Sequence, residues 1–254
     1  MVSLSKVFAI DLLAYAVMSN HYHVVVKVDL AAARAWTEDE VKVRWSRIFS
    51  VPDVVTDELL VKWRSRLSDL SWYMRCLNEP LARTANREDD CKGRFWESRF
   101  RCQALLDDAA LLRCMAYVDL NPIRANVAAT PEASKYTSIS ARLSGREEHL
   151  APFVDRGNVI TERRGVPMRR MEYLALVDWT GRQLRRGKVG RIGAHQPLLL
   201  ARLGVDSDDW IAEMTHYGRW YYRAVGTLQS LQSYCEYLGQ RWVKGVAVAA
   251  RIAT

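Results

Sequence analysis

The run Leu12-Leu13-Ala14-Tyr15-Ala16-Val17-Met18-Ser19-Asn20-His21-Tyr22-His23-Val24-Val25-Val26-Lys27-Val28 holds the reading on which the fold turns. Residues 12–18 are short and mostly apolar, and Ser19-Asn20 supplies turn chemistry. Val24, Val25, Val26 and Val28 favour a strand, because β-branched side chains are stiff and pack well on a pleated surface. Two antiparallel strands joined by a tight turn are expected. Side chains alternate faces along a strand, so His21 and His23 project the same way and can converge on one divalent ion, with Tyr22 turned to the other layer. Taken alone, this pattern also fits two unrelated histidines near a strand end. The chain has five histidines, and two of them sit here beside a turn. His195 and His216 have no spacing that suggests a site.

Moving outward, a helix is expected over residues 38–49, with Pro52 and a polar break after it. Leu60, Trp63, Leu67, Leu70, Met74, Leu77 and Leu81 then recur at alternating steps of three and four, one continuous apolar stripe. Lys62, Arg64 and Arg66 lie off the stripe. Pro80 falls within it and should kink or end the helix near Asn78. Beyond a polar loop, Arg99-Phe100-Arg101-Cys102-Gln103-Ala104 alternates as a half-buried strand does. Asp107 or Asp108 is placed to cap a helix over residues 109–120, which Pro122 closes.

That late helix carries the second chemical signal. Leu111, Leu112, Met115 and Val118 form its buried stripe, and Tyr117 falls off it. Arg113, four before, and Asn121, four after, lie on roughly the same side. A tyrosine flanked by a cation and an amide suits attack on a phosphodiester, with Arg113 meeting phosphate charge. A packing or surface tyrosine is the plain alternative among eleven. A third signal is Lys92-Gly93-Arg94-Phe95-Trp96-Glu97-Ser98-Arg99-Phe100-Arg101. Rings stack on unpaired bases while cations follow the backbone; one or more of Phe95, Trp96 and Phe100 is expected in the core instead.

The 254 residues, 49% hydrophobic and 26% charged, are enough for a hydrophobic core in one large domain or two small ones. The net charge of +8 makes nucleic acid the first partner to consider. Five irregularly spaced cysteines argue against a disulfide framework or a zinc knuckle and suit a reducing cytosol. No apolar run approaches the ~20 residues needed to span a bilayer, so no membrane partner is expected. Residues 145–165 are polar, and the domain boundary is placed there. The expected parts are 1–145 and a mostly helical, basic region over 146–254.

Taken in order, these residues resemble the Y1 (HUH) transposase family, and within it the REP-associated tyrosine transposases. The resembling stretches are Ala14-Tyr15-Ala16-Val17-Met18-Ser19-Asn20-His21-Tyr22-His23, Gly93-Arg94-Phe95-Trp96-Glu97-Ser98-Arg99, and Tyr117-Val118-Asp119-Leu120-Asn121-Pro122-Ile123-Arg124-Ala125. They lie within residues 12–143. The resemblance implies an α+β, ferredoxin-like antiparallel sheet covered by helices. It implies that His21 and His23 bind Mg²⁺ or Mn²⁺, with Asn121 completing the shell, as an amide oxygen suits a hard cation. Tyr117 would attack DNA to form a 5′-phosphotyrosine link and free a 3′-hydroxyl. Single-stranded or hairpin DNA would be the partner, met by Arg94, Phe95, Trp96, Arg99, Arg101, Arg113 and Arg124. A homodimer is compatible with this, as is a cytoplasmic, nucleoid-associated location.

Two departures shape further expectations. Only about eleven residues precede the first strand, too few for the strand and helix that open the family fold, so a misassigned start or a truncated remnant is expected. Pro80, in a helix that would otherwise continue, reads as a second sign of decay, and residues 29–59 also look like an insertion relative to the smallest family members. The segment Tyr173-Leu174-Ala175-Leu176-Val177-Asp178-Trp179-Thr180-Gly181-Arg182, leading into Arg185, Arg186, Lys188 and Arg191, resembles the tail of longer relatives. It suits either phosphate contact or a solvated helix end. The alternative to an enzyme is a non-catalytic remnant or domesticated relative that grips DNA hairpins. A metal-binding hydrolase of another substrate has only the HxH pattern in its favour.

Overall fold

The computed structural model describes residues 1–154, 165–186, 200 and 205–252. A short helix, α1 (Val2–Ser5), leads into the expected hairpin, β1 (Ile10–Val17) and β2 (Tyr22–Val28). Then come α2 (Leu30–Ala35), α3 (Glu38–Ser46), α4 (Asp57–Leu67), α5 (Leu70–Glu88), β3 (Ala104–Leu105), α6 (Asp108–Asp119), α7 (Asn121–Arg124) and α8 (Ser138–Leu143). The later part holds α9 (Arg170–Arg186), α10 (Ser207–Trp220), β4 (Ala224–Val225), α11 (Leu228–Tyr237) and α12 (Val246–Ile252). The chain is therefore mixed α and β, with a two-stranded antiparallel sheet and a helical C-terminal region. Two compact units emerge: Met1–Leu12 with Val26–Arg101, and Leu13–Val25 with Cys102–Thr254.

In the first unit, the helices after the hairpin each start on a side-chain cap. Asp29 accepts from the Ala32 N–H, Thr37 and Glu40 form a reciprocal capping box, and Thr56 accepts from the Leu59 N–H. Trp45 stacks on Trp63 at 5.1 Å between ring centroids, joining α3 to α4. Arg64 donates to the Ala33 and Trp36 carbonyls, both at 2.7 Å, and so closes the C-terminal end of α2.

Two expectations for this unit are corrected. The stripe from Leu60 to Leu81 is not continuous: Ser68 ends α4, and Asp69 starts α5 by accepting from the Trp72 N–H at 2.9 Å. A local cap outcompetes helical continuation there. Pro80 does not end α5, which runs to Glu88. The buried face, Tyr73, Met74 and Leu77, is complete before the proline is reached. Glu79 pairs with Arg75 and Arg83 one turn to either side, bridging the interrupted ladder.

The second unit is built around α6. Asp107 caps it, accepting from the Ala110 N–H at 2.8 Å, and Leu112, Met115, Ala116 and Val118 enter the core. They meet Leu13, Ala14 and Ala16 of β1, Tyr173 and Leu176 of α9, and Trp210 and Met214 of α10. This core draws on both sides of residue 145. Gly181 is what lets α9 come close: a Cβ there would lie 3.1 Å from the Leu120 side chain. The expected strand over residues 99–104 is reduced to β3, which pairs in parallel with β4. Arg99, Phe100 and Arg101 stay exposed, because β4 supplies a partner edge only two residues long. α6 ends at Asp119 with Leu120 as its C-cap, ahead of Pro122 as expected, and Pro122 sits in the first turn of α7, where a missing N–H costs nothing.

Among the described residues, no helix is long and apolar enough to cross a membrane. Lys188, Arg191 and His195 lie outside the described residues, as do the side chains of Arg185 and Arg186.

Candidate functional site

The hairpin turn is closed by the Met18 N–H donating to the His21 carbonyl at 2.9 Å. This fixes His21 just ahead of β2 and His23 within it. Their rings stand 5.1 Å apart, nearly perpendicular. His21 is exposed, and its Nδ1 lies 2.7 Å from the Asn20 side-chain oxygen. With Nδ1 engaged by that oxygen, Nε2 is the nitrogen left for a metal ion. His23 is half-buried. Burial first, then His21 and Arg124 nearby, hold its imidazole down at about 4, so it is neutral near pH 7 and able to act as a ligand.

Tyr117 completes the cluster. Its ring meets that of His23 edge-on at 6.1 Å. The Arg124 guanidinium lies 4.2 Å from the phenol centroid, and the Tyr217 ring stacks on it at 4.5 Å. Arg124 also donates to the Thr215 carbonyl at 3.2 Å. The phenol hydroxyl faces α10 at Gly218, where a Cβ would stand 3.5 Å from it. Asn121 is buried at the start of α7, one turn beyond Tyr117.

What brings helix and hairpin into register is a buried polar knot on the far side of α6. Asp119 accepts from the Ser138 hydroxyl, from the Ile139 N–H at 2.8 Å and from the Tyr173 hydroxyl at 2.6 Å. Arg142 approaches the same carboxylate at 3.5 Å and donates to the Leu13 carbonyl of β1. Ser138 takes the Tyr15 N–H at 2.9 Å. Through Ser138 and Arg142, Asp119 is thereby tied to the strand that leads into the histidines. A carboxylate buried this deeply is tolerated because it has these partners.

The sequence-predicted residues divide. His21, His23 and Tyr117 are brought together, with Arg124 beside them. Arg113 is not presented to a ligand: it is buried against Glu213, Nε to Oε2 2.9 Å, and Glu213 also takes the Tyr221 hydroxyl. Arg94, Phe95, Trp96, Arg99 and Arg101 belong to the first unit, in a segment of no regular structure. There Phe95 meets Trp96 edge-to-face at 4.8 Å, and the Trp96 indole N–H donates to the Asn78 carbonyl at 3.0 Å. Trp96 is thus half committed to packing, while Phe95, Phe100 and the arginines remain exposed.

Sequence reasoning missed Tyr217, Gly218, Glu213 and the Ser138–Arg142 half of the knot. Only long-range contacts assign these, and no local spacing signals them. Among the described residues no group of three or more His, Cys, Asp or Glu is gathered to hold a metal ion. Two imidazoles still make half a ligand set, and an amide, water or a phosphate oxygen suits the rest. A comparison with protein-family models, with curated proteins and with solved structures finds no match to this chain.

Proposed function

We propose that the protein is a metal-dependent endonuclease of the Y1 transposase kind, cutting and rejoining single-stranded or hairpin DNA through a covalent bond to Tyr117 on a ferredoxin-like fold. The observation that carries the reading is the cluster itself: two imidazoles 5.1 Å apart with the Tyr117 ring 6.1 Å from the nearer one, all in one compact unit. His21 and His23, with the Asn121 amide, would hold Mg²⁺ or Mn²⁺. When bound, such an ion polarises the scissile phosphate and offsets the charge that builds on it.

The chain's own residues do the rest. Asn20 orients the His21 ring, and the Asp119 knot keeps α6 at a fixed distance from the hairpin. Arg124 meets a phosphate oxygen at the phenol. The Tyr117 oxygen attacks phosphorus and its proton passes to water. The bond from phosphorus to the departing 3′ oxygen breaks, and that oxygen leaves as a hydroxyl after taking up a proton. The enzyme is left joined to the 5′ phosphate. In the other unit, Arg94, Phe95, Trp96, Arg99 and Arg101 are by their chemistry suited to bases and backbone of unpaired DNA.

Labelled hairpin DNA with a single-stranded flank, incubated with protein and Mn²⁺, should yield an adduct that survives denaturation. Chelation, Tyr117→Phe and His23→Ala should each abolish it. An adduct of equal yield with Tyr117→Phe would sink the reading. One observation favours the alternative, a non-catalytic hairpin-binding relative: Tyr117 is half-buried, with Tyr217 stacked on its ring. In that case hairpin binding persists, steeply salt-dependent, with no adduct from the wild type.

A further inference from the structure

Tyr136 stands in a conformation that its residue type should avoid. Its φ is +58°, in the left-handed region, where a bulky L side chain is strained. Its side chain is nonetheless 74% exposed, so no burial of the ring compensates. Among the described residues no ring, ion pair or hydrogen bond engages that side chain.

The backbone around it is the opposite of loose. Ser134, Thr137 and Ser138 are all buried. The Ser134 hydroxyl donates to the Thr130 carbonyl at 3.0 Å, and the Thr137 hydroxyl donates to the Ser134 carbonyl at 2.6 Å. Thr137 then caps α8, and Ser138 joins the Asp119 knot. The Tyr136 carbonyl accepts from the Val17 N–H at 3.1 Å, and Thr137 bridges Ala16 in antiparallel fashion. This short segment therefore runs along the free edge of β1, opposite β2, at the end of the hairpin that carries His21. Two strand spacings, roughly 10 Å, separate its backbone from that of β2. A strained, hydrogen-bonded mount carries one exposed aromatic residue at the end of β1 that leads into the histidine turn, with exposed Lys135 next to it in the chain and Val17, 42% exposed, bonded to its carbonyl.

We infer that Tyr136 is a base-stacking residue: it holds an unpaired nucleobase of the bound strand next to the His21–His23–Tyr117 cluster and so sets where the strand is cut. The inference rests on the proposed function. A flat π-face is what an unpaired base needs, stacking tolerates any base, and the neighbouring ammonium of Lys135 suits the phosphate that follows. The ring does not touch the reacting atoms, so its role is positioning.

The test uses the full chain, a labelled hairpin oligonucleotide with a single-stranded flank, and the same oligonucleotide with one abasic position moved stepwise through the flank. Tyr136→Gly removes the ring and suits the positive φ, so its melting temperature should not fall. Its affinity for the flanked hairpin should drop between about 5-fold and about 150-fold, the range for loss of one stacked base. Tyr136→Phe should retain wild-type affinity. One abasic position should weaken the wild type by the same factor, leave Tyr136→Gly unchanged, and coincide with a shift in the cut position. If Tyr136→Gly proves unstable, Tyr136→Asn, which tolerates the same backbone, takes its place. Binding and cutting by Tyr136→Gly within twofold of wild type, or abasic costs equal in the two proteins, would overturn this inference and leave the endonuclease reading standing. A wild type that neither binds the oligonucleotide nor forms an adduct overturns both.

Discussion

The two ends of α6 make opposite use of the same helical spacing. Near its start, Asp107 caps the helix and also accepts the Thr227 N–H at 2.7 Å, while Arg113 is buried against Glu213 of α10. Near its finish, Tyr117 turns toward His23, with Arg124 beyond it over the phenol ring. Arg113 and Tyr117 are four residues apart and share a side of the helix, yet one is a structural ion and the other a half-buried phenol in a cluster of rings. Periodicity gives a side chain its direction. What waits in that direction, a buried carboxylate or an imidazole, comes from elements far along the chain.

The sharpest way to break this contrast is at the structural end. Glu213→Ala leaves the Arg113 guanidinium buried and unpaired, so urea denaturation should show a loss of about 3–5 kcal/mol. Replacing both partners, Arg113→Met with Glu213→Leu, should recover most of that loss, because no uncompensated charge remains. If Glu213→Ala cost less than about 1 kcal/mol, the early end of α6 would not be fastened as described.

Asp119→Asn comes next. The amide oxygen can still accept from Ile139, but the ion pair with Arg142 is gone and the amide N–H₂ cannot accept from the Tyr173 hydroxyl. A loss of about 2 kcal/mol is expected by the same measurement, one charged and one neutral interaction being weakened together. Because the knot ties α6 to β1, any adduct formed by this variant should fall in yield even under conditions where it stays folded.

Arg124→Ala should be milder still. A partly exposed cation over a ring contributes about 0.5–1 kcal/mol. Its larger effect should be on DNA: if Arg124 meets one phosphate, the slope of log affinity against log salt should fall by about 0.7, the value for one contact on a single strand. A slope equal to wild type would remove Arg124 from the interface.

The same contrast explains what could be read before the structure. The hairpin was legible because Ser19-Asn20 and the valine run state it locally, and α6 because Asp107 and its apolar stripe do. The break at Ser68-Asp69 was not, since the apolar stripe passes through it unchanged and only the Asp69 cap decides. Pro80 misled for the converse reason: a strong local signal was overridden by an ion-pair ladder and a buried face already complete. The segment over 99–104 alternates like a strand but finds a partner for only two residues, and β4 lies in a part of the sequence with no strand signal of its own. At the site, the pair of histidines and the tyrosine could be nominated, but Tyr217 and Gly218 could not. Their placement over Tyr117 is a matter of how α10 crosses α6, for which no residue near Tyr117 carries a signal.

Gly218 gives the smallest perturbation and the finest test. It sits near the end of α10, where alanine is a better helix former by up to about 1 kcal/mol, so Gly218→Ala should leave stability unchanged or slightly raised. The new methyl would lie 3.5 Å from the Tyr117 hydroxyl, an ordinary contact that needs no rearrangement. It would, however, narrow the space beside that hydroxyl and, under the proposed function, restrict how its oxygen approaches phosphorus. Adduct formation should slow, by up to about tenfold, with DNA affinity unchanged, because reaction geometry tolerates less displacement than binding does. An unchanged rate in a correctly folded Gly218→Ala would mean that the hydroxyl reacts from a position away from α10, and that the stacking of Tyr217 on the phenol opens before the chemistry begins.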